Sequence, residues 1–211
     1  DVVSSVLESG VPIVGLVNNA GGQFRAPLET ISANGFDAVV RNNLTGGFLV
    51  ARECYKQSMQ VNGGSIVNIL ADMWRSMPGM GHSGAARAGM LNLTQTAAVE
   101  WANAGVRVNA VAPGYIASSG LTNYPEKDRA YISQSRKWVP LKRFGTEAEI
   151  SAAVVFLLSE AAAFISGSCI RVDGAAPNAR LDWELQEHQN SKAFRGFPGE
   201  TKLDFLSGMG N

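Results

Sequence analysis

Four short, mostly apolar runs are separated along the chain by segments with helical spacing. The runs occupy residues 13–17, 65–69, 106–111 and 169–172. Runs of this length, rich in β-branched residues, are typical of strands; residues 13–17 predict a strand that is buried on both faces, and residues 65–69 a second buried strand. Because strands that alternate with helices form parallel sheets, the sequence predicts an α/β fold with a doubly wound parallel sheet.

The segments between these runs predict helices and one long loop. Residues 36–59 carry apolar side chains at helical spacing, and residues 83–104 predict a second helix that is rich in small side chains. A third helix is predicted to begin after Thr146, with Glu149 as the partner in its capping box. Residues 70–82 contain one proline and two glycines and predict a loop.

A doubly wound sheet normally opens with a strand, a glycine-rich turn and a helix, which together bind the pyrophosphate of a dinucleotide. No such turn precedes the strand predicted at residues 13–17. The sequence therefore predicts a single Rossmann-like domain over residues 1–175, truncated at its N-terminus, and a polar tail over residues 176–211. A literal G-x-G-x-x-G at residues 79–84 does not replace the missing turn, because it does not directly follow a strand.

Composition excludes several classes of partner. The 211 residues are 45% apolar, which favours a globular core, and the 18 basic and 18 acidic residues give no net charge that would attract nucleic acid or an anionic membrane. Cys54 and Cys169 fit no metal spacing, so we expect buried, reduced thiols and no metal. No apolar run of transmembrane length and no signal-peptide pattern is present, so a cytoplasmic protein is expected.

An ordered set of motifs resembles the short-chain dehydrogenase/reductase family over residues 11–175. The motifs are Asn18-Asn19-Ala20-Gly21, Asn43-Leu44-Thr45-Gly46, Pro113-Gly114 and Val172-Asp173-Gly174. Residues 81–89 are most similar to the peroxisomal-type trans-2-enoyl-CoA reductases of this family. Residues 71–74 and the tail resemble bacterial citronellol/citronellal dehydrogenases.

The resemblance implies an NAD(P)-dependent oxidoreductase that uses NADP or NAD. It assigns cofactor binding to Asn18, Asn19, Ala20, Gly21, Arg87, Pro113, Gly114, Ile116 and Ser118. It also implies a small apolar substrate, either an enoyl-CoA or a terpenoid alcohol or aldehyde, and assembly as a homodimer or homotetramer. The alternative is a non-catalytic member that works through assembly or ligand binding. We expect these 211 residues alone to be inactive as an enzyme.

The sequence departs from the family pattern at two catalytic positions. Ser83 stands where the family has tyrosine, and Arg87 stands where it has lysine. A serine hydroxyl is a poor acid, and an arginine side chain does not give up its proton. Enoyl and dienoyl reductases of the family also carry serine here, and reduction of a conjugated double bond requires a hydrogen-bond donor to the enolate oxygen more than a strong acid.

Candidate catalytic residues are therefore Ser83, His82 and Asp72 as donors, with Asn43 and Arg87 holding substrate, water or ribose. Each has a structural alternative: Ser83 as a helix N-cap, His82 as an ordinary loop histidine, Asp72 as a solvated or capping carboxylate, and Asn43 as a buried polar residue. Several large apolar side chains of the tail predict that it packs over the substrate mouth or a neighbouring subunit. They are Trp183, Phe194, Phe197, Leu203 and Phe205.

Overall fold

The computed structural model describes residues 2–197 and 203–206, and the remaining residues of the tail, 198–202 and 207–211, lie outside the described part. The chain divides into two compact units. The first unit comprises Asp1–Val111 and Val154–Ile170, and the second comprises Ala112–Ala153 and Arg171–Asn211.

The predicted α/β architecture is confirmed. The strands are β1 Gly15–Asn18, β2 Gly64–Ile69, β3 Val106–Pro113, β4 Ile116–Ala117, β5 Gly145–Thr146 and β6 Cys169–Val172. The helices are α1 Val2–Leu7, α2 Ala33–Val40, α3 Gly46–Cys54, α4 Gln60–Asn62, α5 Gly81–Glu100, α6 Glu126–Gln134 and α7 Glu147–Leu158. Two π-helical turns, Arg41–Thr45 and Tyr55–Met59, join α2, α3 and α4 into one helical stretch.

The main sheet has the strand order β1-β2-β3-β6. β1 pairs with β2, and β2 with β3, in parallel, with Leu16 opposite Ile66 and Ile66 opposite Val108. The strands β4 and β5 form a separate parallel pair in the second unit. In the described residues, no helix is long and apolar enough to cross a membrane.

The core of the first unit lies around β2 and β3. Ile66, Val67 and Ala110 are fully buried, as the apolar runs predict. The prediction that β1 is buried on both faces is wrong, because Val17 is 41% exposed. β1 lies at the end of the strand order and pairs with β2 alone in the described sheet, so part of its surface has no covering element. Cys54 is buried as predicted, whereas Cys169 is half-buried, and neither is part of a disulfide bond in the described residues.

The helix α5 begins two residues earlier than predicted. Gly79 has a φ of +77° in the turn before it, and the N-cap position belongs to Met80, whose side chain makes no cap hydrogen bond. Ser83 is thus the third residue of the helix, and its interpretation as an N-cap is wrong. His82 lies within the same first turn and is not a loop residue.

The predicted capping box of α7 is confirmed in the second unit. Thr146 Oγ1 accepts a hydrogen bond from the Glu149 backbone N–H at 3.2 Å, and the Glu149 carboxylate accepts one from the Thr146 N–H at 2.9 Å. Glu149 also forms an ion pair with Arg143 at 2.7 Å. Arg143 in turn donates to Ser191 Oγ at 2.9 Å, which fixes part of the tail on this unit.

The large apolar residues of the tail differ in burial. Phe194 and Phe197 contact each other edge to face, with ring centroids 5.8 Å apart. The backbone oxygen of Phe194 accepts from Thr146 Oγ1 at 2.9 Å, and Leu203 is buried, whereas Trp183 is 74% exposed. The tail is therefore held on the second unit near residues 187–194, and packing over a substrate mouth or a neighbouring subunit stays a prediction.

Candidate active site

Three segments of the first unit converge after β1 and β2: the loop at residues 19–27, the loop at residues 70–80 and the first turns of α5. Carboxyl ends of parallel strands meet at the same edge of a sheet, where open α/β folds bind their ligands. The backbone N–H of Ala26 donates to the oxygen of Gly79 at 2.9 Å, which ties the two loops together.

Asn43 holds the loop after β1 in place. It is 2% exposed and lies in the π-helical turn Arg41–Thr45, an unusual element that often marks functional sites. Its side-chain amide donates to the oxygens of Gly22 at 2.6 Å and Val39 at 2.8 Å, and its Oδ1 accepts from the Gly22 N–H at 3.2 Å. Both amide hydrogens are thus used within the protein.

Asn18 is half-buried and begins a ladder of hydrogen-bonded polar side chains that continues to the buried residues Asn68 and Thr94. Its amide donates to Asn68 Oδ1 at 2.8 Å and to the Gly47 oxygen at 3.2 Å, and Asn68 donates to Thr94 Oγ1 at 2.9 Å. With both hydrogens used, Asn18 Oδ1 is left to accept a hydrogen bond. Asn18 and Ala20 line an open cavity of about 460 Å³ that also contains Arg41.

Gly21 makes the closest backbone approach in the site. A β-carbon at this position would lie 2.5 Å from Asn43 Oδ1 and 2.6 Å from Arg87 Nη2. Real β-carbons do not approach other atoms this closely, so only glycine fits without a shift of these buried side chains. Steric exclusion of any larger side chain therefore explains the glycine at the last position of the Asn-Asn-Ala-Gly motif.

Arg87 is a buried cation without a carboxylate partner in the described part of the chain. The residue is 8% exposed, and its Nη1 donates to the backbone oxygen of Ile69, the last residue of β2, at 2.6 Å. Its Nε has no hydrogen-bond partner among the described residues. Burial lowers the pKa of the Arg87 guanidinium from its ordinary value, the direction expected when a charge is removed from water.

His82 and Ser83 stand beside this cation on the same helix. His82 is fully buried and Ser83 is 1% exposed. Neither His82 Nε2 nor Ser83 Oγ has a hydrogen-bond partner in the residues that the structure describes. Buried polar atoms in native proteins nearly always have a partner, so a group of unpaired ones indicates a place for a ligand or water.

Phe24 contacts His82, although the sequence analysis does not predict Phe24 as a residue of the site. The two rings meet edge to face with centroids 4.5 Å apart, and Phe24 is 43% exposed. Phe24 follows the Asn-Asn-Ala-Gly motif by only a few positions, which is the sole sequence signal that it belongs to the site.

The other candidates lie in two loops of the first unit and in the second unit. Asp72 is half-buried in the loop after β2, and Asn19 lies in the loop after β1. Four predicted cofactor residues belong to the second unit: Pro113, Gly114, Ile116 and Ser118. There, a β-carbon on Gly114 would lie 2.7 Å from Asp173 Cα, so this glycine is required by the neighbouring backbone.

The G-x-G-x-x-G segment does not form a phosphate cradle. A β-carbon on Gly81 would meet Leu28 Cδ1 at 2.7 Å, and one on Gly84 would meet Met77 Cβ at 3.4 Å. Apolar side chains therefore cover these two glycines, as expected from their position far beyond the end of β2.

Comparison with known proteins decides the family. A family model described as enoyl-(acyl carrier protein) reductase matches residues 1–175. The chain belongs to the short-chain dehydrogenase/reductase family. This short-chain dehydrogenase/reductase is 38% identical over 180 residues to a probable 2,4-dienoyl-CoA reductase of Bacillus subtilis, over 82% of this chain and 70% of the relative.

Solved structures of family members agree with this assignment. A citronellol catabolism dehydrogenase of Pseudomonas aeruginosa PAO1 is 58% identical with a TM-score of 0.72, over 83% of this chain and 66% of that protein. A gluconate 5-dehydrogenase of Burkholderia cenocepacia, solved with NADP and tartrate, is 31% identical with a TM-score of 0.77, over 84% of this chain and 70% of that one. The chain thus spans about two thirds of the length of these relatives.

Proposed function

We propose that the full-length protein is an NAD(P)-dependent oxidoreductase that reduces the conjugated double bond of an apolar enoyl thioester. The observation that carries this proposal is the group of buried, unpaired polar atoms on His82, Ser83 and Arg87 at the start of α5. By the family resemblance, Ser83 and Arg87 stand at the positions of the proton-transfer tyrosine and lysine, with His82 next to Ser83, so the chain offers hydrogen-bond donors there instead of a tyrosine.

The residues after β1 and on α5 fit a nicotinamide cofactor. Gly21 leaves no space for a side chain beside Arg87, and the Arg87 guanidinium has an unpaired N–H for a ribose hydroxyl or a phosphate. Asn18 offers an acceptor at the cavity that it lines with Ala20. When bound, a nicotinamide cofactor supplies or accepts a hydride.

The donor set favours an enolate-forming reaction over an alcohol oxidation. An enolate oxygen is stabilised by fixed hydrogen-bond donors in a site that excludes water. Oxidation of an alcohol requires a base for the hydroxyl proton, and Ser83 and Arg87 cannot act as one near neutral pH. The Nδ1 of His82 already accepts a hydrogen bond from the Ser83 backbone N–H at 2.8 Å.

The named activities of the relatives bear on the substrate class. The Bacillus subtilis protein is named for a dienoyl-CoA, which is a conjugated thioester, and the Pseudomonas aeruginosa protein for citronellol. Both compounds carry an apolar, acyclic carbon chain, so a terpenoid alcohol or aldehyde is the second candidate substrate. The alternative of a non-catalytic assembly or ligand-binding protein has no support among these relatives, which are named for redox enzymes.

Steady-state kinetics of the full-length protein test the proposal. We expect NADPH- or NADH-dependent reduction of a medium-chain 2-enoyl-CoA or 2,4-dienoyl-CoA with a higher kcat/KM than that for citronellal reduction or citronellol oxidation. Ser83→Ala should lower kcat on the enoyl thioester by about 10²–10³, the cost of one oxyanion donor. Oxidation of citronellol without any enoyl reduction would refute the proposal and favour the second candidate.

A further inference from the structure

His82 makes a hydrogen bond that fixes its protonation state. The backbone N–H of Ser83 donates to His82 Nδ1 at 2.8 Å. A backbone N–H can only donate, so Nδ1 must be the nitrogen without a proton. The ring is therefore the neutral tautomer that carries its hydrogen on Nε2.

The N–H of His82 Nε2 is left without a hydrogen-bond acceptor in the described residues. His82 is 0% exposed, so its Nε2 is buried. Ser83 Oγ is also buried and has no hydrogen-bond partner in the described residues. The ring of Phe24, which comes from the loop after β1, packs edge to face against the buried His82 ring with centroids 4.5 Å apart. A neutral, buried donor in such a place is a group that a ligand oxygen would satisfy.

We infer that His82, fixed as the Nε2–H tautomer, is the hydrogen-bond donor to the substrate's carbonyl oxygen, with Ser83 Oγ as the second donor. This inference rests on the proposed function, because it assigns the donor within the same site. It differs from the family pattern, in which the residue at the position of Ser83 is the donor.

The chemistry of the donors fits reduction of a conjugated thioester. When an enoyl thioester gains a hydride at its β-carbon, the electron pair of the carbon–carbon double bond moves towards the carbonyl oxygen and an enolate forms. Hydrogen bonds from His82 and Ser83 stabilise that oxygen. A water molecule then gives a proton to the α-carbon of the enolate and leaves as hydroxide, which the solvent neutralises, so both side chains keep their protons throughout.

The first test compares two substitutions of His82 in the full-length protein with its bound cofactor. His82→Leu removes the donor, whereas His82→Gln keeps an N–H near the position of Nε2. On an enoyl thioester we expect kcat to fall by about 10²–10³ in His82→Leu and by no more than about tenfold in His82→Gln. The matched control is His188→Leu in the second unit, where His188 Nε2 lies 2.9 Å from the Pro140 oxygen, and it should leave kcat unchanged.

The second test needs no activity and uses the full-length protein with ¹⁵N-labelled histidine. The imidazole resonances that disappear in His82→Gln are those of His82, and His188→Leu assigns the other histidine of these 211 residues in the same way. We expect His82 to show an unprotonated Nδ1 and a protonated Nε2, and the Nε2 proton to shift downfield when the unreactive analogue hexanoyl-CoA binds. A proton on Nδ1, or no shift of the Nε2 proton in saturating hexanoyl-CoA, would overturn the inference.

The outcomes separate the inference from the function on which it rests. If the wild type reduces enoyl thioesters and His82→Leu equals it in kcat, the function stands and the donor assignment is wrong. If both His82 variants lose activity equally, the role of His82 is structural and the assignment is also wrong. If the wild type reduces no enoyl thioester with either cofactor, the proposed function fails.

Discussion

At the scale of single residues, the backbone of Gly21 is the most restricted point of the site. A β-carbon there would lie 2.5 Å from Asn43 Oδ1 and 2.6 Å from Arg87 Nη2. Gly21→Ala must displace two buried, hydrogen-bonded side chains, so we expect the free energy of unfolding to fall by about 1–3 kcal/mol. Urea unfolding followed by circular dichroism measures this change.

Gly15→Ala is the matched control for this substitution. Gly15 lies in β1 close to Gly21 in sequence, but nothing lies within 4 Å of a β-carbon placed there. We expect its free energy of unfolding to stay within about 0.5 kcal/mol of the wild type. Equal losses in the two variants would show that the close approach at Gly21 does not decide its effect.

Arg87 is held in the fold at a cost in stability. Its guanidinium is buried, donates to the Ile69 oxygen and has no carboxylate partner in residues 2–197 or 203–206. Since apolar replacement of a buried charge often stabilises a protein, we expect Arg87→Met to raise the free energy of unfolding by about 1 kcal/mol. The same variant should weaken cofactor binding at least tenfold, and calorimetric titration with NADPH and NADH measures both affinities.

Arg87→Lys separates charge from shape in this test. It keeps a cation, so we expect it to bind cofactor better than Arg87→Met and to gain less stability. A loss of stability in Arg87→Met would mean that the hydrogen bond to Ile69 contributes more than burial of the charge costs.

At the scale of elements, local sequence patterns predict what depends on neighbours along the chain. The capping box of α7 and the strands β2 and β6 follow from short patterns, and the structure has them. The exposure of β1 depends on which strand lies beside it, and the start of α5 depends on the turn at Gly79. The contacts of Gly21 with Arg87 and of Phe24 with His82 join distant parts of the chain, so no local pattern encodes them.

The N-terminus of α7 predicts a pH dependence of stability. Burial raises the pKa of the Glu149 carboxyl, but hydrogen bonds from Arg143, Thr146 and Phe194 lower it by more, so the net shift is downward. A carboxyl whose pKa is lowered by folding stabilises the protein above its unfolded pKa of about 4.3, and this contribution is lost as pH falls through the folded value. We expect the urea concentration at the unfolding midpoint to decrease as the pH is lowered below 5, and to decrease less in Glu149→Gln.

Glu160→Gln removes the same charge at an exposed position and is the control. Its urea midpoint should follow the wild type at every pH between 3 and 7, because it lacks the hydrogen bonds of Glu149. If Glu149→Gln also follows the wild type, the network of Arg143, Thr146 and Glu149 makes no pH-dependent contribution to stability.

At the scale of the whole molecule, the apolar surface of the first unit bears on assembly. The helices α3 and α5 pack together and present a small groove lined by apolar side chains, including Phe48, Ala97 and Trp101. Phe48 is 39% exposed, and Val99 nearby on α5 is 78% exposed. Apolar helix faces of this kind are typical of two-fold contacts between identical subunits.

We therefore expect the full-length protein to be a homodimer or homotetramer through α3 and α5. Thr96 is exposed and lines the groove between these helices, so Thr96→Arg would place a charge at the centre of a helix-to-helix contact. We expect this variant to lower the mass measured by light scattering at micromolar concentration, because an unpaired charge in a desolvated interface is costly. Val61→Arg, at a site on α4 that is 90% exposed, should leave the mass unchanged. A monomeric wild type, or an unchanged mass in Thr96→Arg, would contradict assembly through these two helices.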